Sequence, residues 1–332
     1  MTAAPASASA AAPVPAPASM RASCAPVIGE AVENDPRVVT LGADGQALFT
    51  SVLRRRPDRY VEVGIAEANL VGVAAGLARS GRLPVVGAMA PFLVRRAYEQ
   101  IRLDICLPGL PVVLLGVGGG LGYGHLGPTH HAPDDIALMS ALPNMRIYCP
   151  SDAQDAADVL RGVLPPAGPC YIRLAARPDP VVPAPHGAAD TAAPVPRDPD
   201  GVRLLRTGAD ALVVATGRCV AEALTAAEAL ADDGVQTAVA AVSCLRPFPA
   251  TELRALAAGR PLVVSVCEAL ETGALAQQTE AALTDRPGRL VRLEVDHRYP
   301  PVASHEELLR FYGVDSAGIR SAVLHHHSNK GS

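Results

Sequence analysis

Short apolar runs recur along the chain and alternate with stretches of helical periodicity. Within each run the apolar residues are consecutive, which is typical of strands covered on both faces. Strands of this kind that alternate with helices predict a mainly parallel sheet with helices on both sides. In the first part of the chain the predicted strands are 37–41, 84–88, 111–115, 145–149 and 170–174, and the predicted helices are about 67–80, 92–106, 134–142 and 152–163.

The pattern breaks between Arg177 and Gly201, where the chain is rich in Pro, Ala and Asp and has no periodicity, as in a linker. It resumes at Val202 and predicts a second, smaller α/β domain. The predicted strands there are 211–216, 237–242, 262–267 and 290–295, and the helices are 221–232, 249–258, 273–283 and 305–312. The fold class is therefore α/β with two parallel-sheet domains. The predicted segments are a disordered Ala/Pro-rich tail (1–19), a first domain (20–177), a linker (178–201), a second domain (202–324) and a disordered tail (325–332).

Composition excludes several functional classes. The 332 residues are 49% hydrophobic and 19% charged, with a net charge of −4, so the chain lacks the basic field of a nucleic-acid-binding protein. No apolar stretch approaches the ~20 residues of a transmembrane helix. The N-terminus lacks the charged region of a signal peptide, and Met20 is a candidate natural start. Seven scattered cysteines without a CxxC pair predict small buried hydrophobes in a reducing compartment, and we expect a cytoplasmic protein.

One acidic residue, Glu67, follows a strand that ends in glycine and precedes a helix of small and apolar residues. An acid at a helix start is favoured by the helix dipole, which is the simpler interpretation of this segment alone. Burial of a carboxyl group costs several kcal/mol unless the group is partnered or protonated. Residues further along the chain favour a functional role for Glu67.

A glycine-rich loop over residues 116–131 follows a predicted buried strand and carries three histidines, His125, His130 and His131. It is not a P-loop, because no Gly-Lys-Ser/Thr follows, and it has no dinucleotide-binding pattern. Zinc is disfavoured because the loop holds no Cys, Asp or Glu at ligand spacing. A plain surface loop is the structural alternative. Its position after a parallel strand, where open α/β sheets bind ligands, favours a binding site.

Three residues at helical spacing, Phe92, Arg95 and Tyr98, lie between Glu67 and the glycine-rich loop. If the role is only structural, Phe92 is a core aromatic residue on an amphipathic helix. If the role is functional, Phe92 offers a flat aromatic face against which the ring of a ligand can stack.

Together these segments resemble the pyrimidine-binding half of the transketolase family of thiamine diphosphate enzymes. The residues after Val202 are similar to the C-terminal domain of the same family. The resemblance covers about 20–324, and as a set its motifs are specific. They are 63–69, 92–102, 127–130, 143–145, 150–152, 215–217 and 308–313.

The resemblance implies roles around the cofactor. Glu67 would hydrogen-bond the ring nitrogen of the aminopyrimidine and so help to activate the cofactor. Phe92 would stack on the pyrimidine, with Arg95 and Tyr98 also lining the cofactor site. His130 would face the substrate as a proton shuttle or as a donor to the developing oxyanion.

It also implies contacts with the substrate. Arg21 and Arg173 fall where family members hold the sugar phosphate, which suits guanidinium chemistry. His125 and His131 would contribute further substrate contacts. Asp44 falls where the family has an acid on the thiazolium side of the cofactor. None of the chain's own residues is expected to ligate the metal.

The family's separate diphosphate-binding domain carries a Gly-Asp-Gly segment followed by an Asn, and no such motif occurs here; the segment 42–45 lacks the pattern. The resemblance therefore implies thiamine diphosphate and Mg²⁺ held mainly by a partner subunit. The expected assembly is an α2β2 tetramer, with the second domain serving dimerisation.

Four positions depart from the family's pattern. His125 and Leu126 replace an acidic pair, and the loss of the acid at Leu126 affects donor recognition. His131 replaces a glutamine, and Gly118 replaces a histidine that contacts the acceptor's phosphate. We therefore expect transfer of a two-carbon ketol unit from a ketose phosphate to an aldehyde or a specialised acceptor. The alternatives are the β subunit of a 2-oxo acid dehydrogenase and a non-catalytic scaffold partner.

Overall fold

The computed structural model describes residues 16–183 and 198–328. Most of the predicted N-terminal tail (1–15), the middle of the predicted linker (184–197) and the last four residues (329–332) lie outside the described residues.

The described chain alternates between strands and helices. The strands are β1 (Val38–Gly42), β2 (Tyr60–Glu62), β3 (Leu83–Met89), β4 (Val113–Val117), β5 (Arg146–Tyr148), β6 (Cys170–Leu174), β7 (Val202–Arg206), β8 (Ala211–Ala215), β9 (Thr237–Val242), β10 (Cys244–Arg246), β11 (Leu262–Leu270) and β12 (Arg289–Val295). The helices are α1 (Met20–Asn34), α2 (Thr50–Arg55), α3 (Glu67–Arg79), α4 (Ala90–Arg96), α5 (Tyr98–Gln100), α6 (Asp135–Ser140), α7 (Ala153–Val163), α8 (Cys219–Asp232), α9 (Ala250–Ala257), α10 (Leu275–Ala282), α11 (His305–Phe311) and α12 (Ser316–Ser328).

The first sheet has seven strands in the order β10-β5-β6-β4-β3-β1-β2. Its strands are parallel except β10, which comes from the second half of the chain and pairs antiparallel with β5. The two halves of the chain therefore share one sheet. The second sheet has the order β12-β11-β8-β9-β7, and only β7 runs antiparallel to its neighbour.

Successive residues of the central strands pack into cores on opposite faces of the first sheet. Val85 and Val113 belong to the core that holds α1 and α7, whereas Val86 and Leu114 belong to the core that holds α3 and α4. Burial on both faces explains why these strands are continuous apolar runs. The predicted fold class, α/β with two mainly parallel sheets, is confirmed.

Some local predictions are wrong. The predicted helix 92–106 is interrupted at Ala97, whose dihedral angles (φ −103°, ψ 14°) leave the helical range, and it continues as α5 and a π-helical turn over Ile101–Cys106. Part of the predicted N-terminal tail is ordered, because Ala18 pairs with Asp179 and Ser19 caps α1. The helix α12 extends to Ser328 and therefore includes residues that were predicted to be disordered.

All seven cysteines are buried and free, as expected of small hydrophobes. Within residues 16–183 and 198–328, none of the helices has both the length and the apolar character that crossing a bilayer demands.

Candidate active site

Glu67 is the first residue of α3 and is only 3% exposed. The chain reaches it from β2 through a turn in which Gly64 adopts φ 72°, a conformation that favours glycine. At this position the carboxylate benefits from the partial positive charge of the helix N-terminus. Burial together with a favourable helix end makes Glu67 a well-positioned acceptor at the carboxyl edge of the sheet.

Arg96 contacts both residues that were predicted to hold the pyrimidine. Its Nη1 donates a hydrogen bond to Oε2 of Glu67 at 3.0 Å. Its guanidinium carbon lies 4.3 Å from the centroid of the Phe92 ring, a cation–π geometry. A planar group with N–H donors therefore already fills the space between Glu67 and Phe92.

His130 also neighbours Phe92, with the two ring centroids 5.2 Å apart in an edge-to-face arrangement. The hydroxyl of Thr129 lies 2.8 Å from Nδ1 of His130, and the ring is half-buried. The Tyr123 ring lies 6.2 Å from the His130 ring, also edge to face. The structure thus brings Glu67, Phe92 and His130 into one site.

The glycine-rich loop is held in place by backbone hydrogen bonds. Gly118 donates to the carbonyl of Leu174 at 2.7 Å, and Gly120 pairs with Ala132 in an isolated bridge. Because the loop is attached at its start and near its end, His130 is presented at a defined place beside Phe92.

His131 was predicted to bind substrate, and the structure places it inside the loop. It is 1% exposed, and its Nε2 lies 3.0 Å from the carbonyl oxygen of Gly124. Burial lowers the pKa of His131, so the neutral ring can donate to that carbonyl. His131 therefore helps to hold the loop, and its contact with the substrate stays a prediction.

Asp44 lies at the end of β1 with φ 55°, and its backbone N–H donates to Oε1 of Glu62 at 3.1 Å. The same carboxylate accepts hydrogen bonds from the backbone of Gly64, at 2.9 Å, and from the hydroxyl of Tyr60. Partial burial opposes ionisation, but these donors hold the pKa of Glu62 below its usual range. Glu62, which the sequence did not single out, connects the Asp44 turn to the turn that precedes Glu67.

A cluster of cationic residues adjoins Tyr123. Arg21 donates to the carbonyl of Ala176 at 3.0 Å, and Nη2 of Arg177 lies 3.0 Å from Nδ1 of His125. Burial raises the pKa of the Tyr123 phenol, while the charges of Arg21 and Arg177 act to lower it. Both guanidinium groups are therefore close enough to act on one phenol, and they make this edge of the site attractive to anions.

Arg95 and Tyr98 form hydrogen bonds on the side of their helix that faces residues 134–138. Nε of Arg95 donates to Asp134 at 3.0 Å, and the Tyr98 hydroxyl donates to the carbonyl of Leu138 at 3.1 Å. The cofactor contacts of Arg95 and Tyr98 stay predictions, and Arg96, which the sequence did not single out, is the arginine that contacts Glu67 and Phe92.

Arg173, which was predicted to bind the sugar phosphate, lies in the interior of the chain. It is 4% exposed and forms a buried ion pair with Asp135, in which Nε lies 3.0 Å from Oδ2. Tyr171 donates to the same carboxylate at 2.7 Å, and Nη1 of Arg173 lies 3.3 Å from the carbonyl oxygen of Glu268. Arg173 therefore joins the two domains, and exposed Arg177 is the arginine available to a ligand.

Within the described ranges, no three His, Cys, Asp or Glu side chains come together in a way that could hold a metal ion. A cavity of about 120 Å³ opens at the ends of β1, β3 and β4, with Arg21, Asp44, Met89 and Tyr123 in its lining. The fold and this geometry define an α/β protein with a candidate ligand site at the carboxyl edge of its first sheet, where open sheets generally bind ligands.

Comparison with known families identifies the class. Residues 16–177 match the model of the transketolase pyrimidine binding domain, and residues 200–319 match that of the transketolase C-terminal domain. The chain is 33% identical to one of the subunits of the apulose-4-phosphate transketolase of Actinobacillus succinogenes, over 89% of its own length and 94% of that protein. The chain therefore belongs to the transketolase family.

Two further relatives have the same extent. A 6-deoxy-6-sulfo-D-fructose transketolase subunit from a Clostridium species is 32% identical, over 92% of this chain and 93% of that one. A solved structure described as a split-gene transketolase in an inactive β4 tetramer superposes with a TM-score of 0.84 at 30% identity, over 94% of this chain and 99% of the other. Within the family, the chain is similar to the second subunit of split transketolases.

Proposed function

We propose that this chain is the pyrimidine-binding subunit of a two-component, thiamine diphosphate-dependent transketolase. The enzyme would move a two-carbon ketol unit from a ketose phosphate to an aldehyde or a specialised acceptor. The observation that carries the proposal is the convergence of Glu67, Phe92 and His130 at one edge of the sheet of a transketolase-family chain.

The residues present fit the pyrimidine of the cofactor. The Arg96 guanidinium lies on Phe92 and donates to Glu67, so the space accepts a flat group whose edge hydrogen-bonds the carboxyl group. An aminopyrimidine ring is also flat and carries a ring nitrogen on its edge. Glu67, as the carboxylic acid, would donate a hydrogen bond to that nitrogen and share its proton with it, and Phe92 would stack against the face of the ring.

When bound, thiamine diphosphate supplies the carbon nucleophile and the electron sink that ketol transfer needs. The chain's own residues orient and protect that chemistry. Glu67, buried at the start of α3, fixes the pyrimidine and its protonation state. His130 is oriented by Thr129 and would exchange a proton with a substrate oxygen.

The phosphate group of the substrate would bind at the cationic edge of the site, beside Tyr123. Arg21, Arg177 and His125 supply fork-shaped and ring N–H donors that suit a phosphate, and their side chains are half-buried or exposed. Asp44, in the lining of the same cavity as Arg21, would face the thiazolium side.

A partner subunit would supply the diphosphate and Mg²⁺ contacts. The chain spans 93–94% of two relatives that are themselves named as subunits of transketolases. Its sequence also lacks the Gly-Asp-Gly and Asn pattern with which the family holds that end of the cofactor. We propose an α2β2 assembly in the cytoplasm.

The acceptor is proposed to be unusual. Leu126 and Gly118 replace an acid and a histidine of the common family pattern. Two relatives are named for apulose 4-phosphate and for 6-deoxy-6-sulfo-D-fructose, which indicates that related subunits serve different sugars. Both names specify transketolases, which favours ketol transfer over the 2-oxo acid dehydrogenase alternative.

The test is to isolate the partner and reconstitute the enzyme. The chain is used as bait in its native extract, and a stoichiometric partner that carries Gly-Asp-Gly and a downstream Asn is purified. The pair, each subunit alone, and the pair without thiamine diphosphate are then assayed for ketol transfer from xylulose 5-phosphate to a panel of aldehydes. Transfer that needs both subunits and thiamine diphosphate supports the proposal. A pair that assembles and binds cofactor but acts only on pyruvate supports the dehydrogenase alternative, and an inert pair supports the scaffold.

A further inference from the structure

Tyr123 occupies space that a side chain at position 118 would otherwise take. Gly118 directly follows β4 and has φ 76°, and a Cβ atom placed on it would overlap the Tyr123 ring. The family's histidine at this position cannot be accommodated while Tyr123 stays where it is. The two positions are therefore sterically coupled, and the ring replaces the missing side chain.

The Tyr123 ring neighbours both the reacting end of the site and its cationic edge. It lies 6.2 Å from His130, measured between ring centroids. It also lines the cavity to which Arg21, Asp44 and Met89 contribute. A substrate that extends from His130 toward the cationic edge passes this ring.

The cavity that Tyr123 lines is small in this chain, at about 120 Å³. Donor and acceptor share the path, because a five-carbon ketose that gives up two carbons leaves a three-carbon aldehyde. A three-carbon acceptor therefore needs no more room than the donor already has, whereas a five-carbon acceptor needs two further carbons of length.

We infer that Tyr123 is a specificity-determining residue that selects acceptor aldehydes by length and favours three-carbon over five-carbon acceptors. The inference rests on the proposed transketolase function and deepens it. Tyr123 forms no covalent bond with the substrate, and its contribution is the volume of its ring beside His130.

The test compares two acceptors of equal charge and different length. The reconstituted two-subunit enzyme is assayed with xylulose 5-phosphate as donor, and with isotopically labelled glyceraldehyde 3-phosphate or with ribose 5-phosphate as acceptor, for the wild type, Tyr123→Phe and Tyr123→Ala. Transfer to glyceraldehyde 3-phosphate regenerates xylulose 5-phosphate, so it is measured by the label that enters the ketose. Tyr123→Ala is expected to raise the ratio of kcat/KM for ribose 5-phosphate over glyceraldehyde 3-phosphate by about tenfold, a typical effect of pocket size. Tyr123→Phe keeps the ring and should keep the ratio.

An unchanged ratio in Tyr123→Ala overturns the inference even if total activity falls, because a merely structural role would affect both acceptors alike. Failure of the wild-type pair to transfer to any acceptor refutes the proposed function instead. Thermal unfolding tests the contact between position 118 and the Tyr123 ring without an activity assay. Gly118→Ala should lower the melting temperature less in the Tyr123→Ala background than in the wild type. An equal cost in both backgrounds contradicts the steric coupling.

Discussion

Arg96 donates a hydrogen bond to Glu67 at 3.0 Å while its guanidinium group lies over the ring of Phe92 at 4.3 Å. A single side chain thus contacts both groups that we assign to the pyrimidine of the cofactor. If the pyrimidine binds between Glu67 and Phe92 as proposed, Arg96 must leave this position, because two groups cannot occupy one space. The free subunit would therefore keep Glu67 paired until the pyrimidine replaces the guanidinium.

We expect Arg96→Met to bind thiamine diphosphate more tightly in the assembled enzyme. The Arg96 side chain is 53% exposed, so solvent weakens both of its contacts, and their combined contribution is about 1 kcal/mol. Removing that competition should lower the Kd by about fivefold. Calorimetric titration of the cofactor into the two-subunit enzyme measures the change.

The matched control is Arg95→Met, because Arg95 pairs with Asp134 and not with Glu67. Its Kd should equal that of the wild type. Weaker binding in Arg96→Met would mean that Arg96 helps to hold the cofactor instead of competing with it.

Substitution of Arg173 should lower the stability of the chain, whereas substitution of Arg177 should weaken substrate binding. Arg173→Met leaves the buried Asp135 carboxylate without its counter-charge and should lower the free energy of unfolding by about 3 kcal/mol. Arg177 is exposed beside His125, so Arg177→Met should change stability by less than about 0.5 kcal/mol.

Arg177→Met should instead raise KM for the ketose phosphate by about tenfold, because it removes one charge-assisted phosphate contact. Denaturant unfolding of the chain and steady-state kinetics of the reconstituted pair measure the two effects. A stable Arg173→Met variant with a raised KM would reverse the assignment of the two arginines.

His305 and Glu268 form a buried ion pair at 2.7 Å, and Glu268 also accepts from the backbone of Leu121 at 3.4 Å. Burial opposes the charged form of His305, but Glu268 raises the pKa of His305 above its ordinary 6.5. Burial likewise opposes ionisation of Glu268, and His305 holds the pKa of Glu268 below its ordinary 4.5.

The stability due to His305 is fully present below pH 6.5 and is lost as pH rises through its raised pKa. The stability due to Glu268 is present above pH 4.5 and is lost as pH falls through its lowered pKa. The difference in unfolding free energy between the wild type and His305→Gln should therefore be largest between these values and shrink above pH 6.5. A difference that does not vary with pH would show that the pair is not ionised in the folded chain.

The buried strands could be predicted from the sequence because residues covered on both faces must be apolar, as in 170–174 and 237–242. The helix α1 also left a signal, since Met20, Cys24 and Val27 are buried at helical spacing, although Pro26 interrupts the pattern. The pairing of β10 with the first sheet could not be predicted from the sequence. That pairing depends on contacts with β5, which is about a hundred residues away in the chain.

The candidate site also has some features that the sequence predicts and others that it does not. Glu67, Phe92 and His130 could be expected to meet because the carboxyl ends of parallel strands share one edge. The sequence could not decide between Arg95 and Arg96, because neighbouring residues on a helix point about 100° apart and the packing of α3 against α4 determines which one faces Glu67. The apolar neighbours of Arg173 did indicate burial, but its partner Asp135 lies on another element and left no local signal.

The most direct test of the proposed mechanism is ketol transfer by the reconstituted pair with Glu67→Ala, measured on samples whose assembly is determined by mass in parallel. Glu30→Ala, an exposed acid on α1, is the matched control. We expect Glu67→Ala to assemble like the wild type and to lose transfer from xylulose 5-phosphate, with the control retaining it. Full transfer by assembled Glu67→Ala would contradict the mechanism.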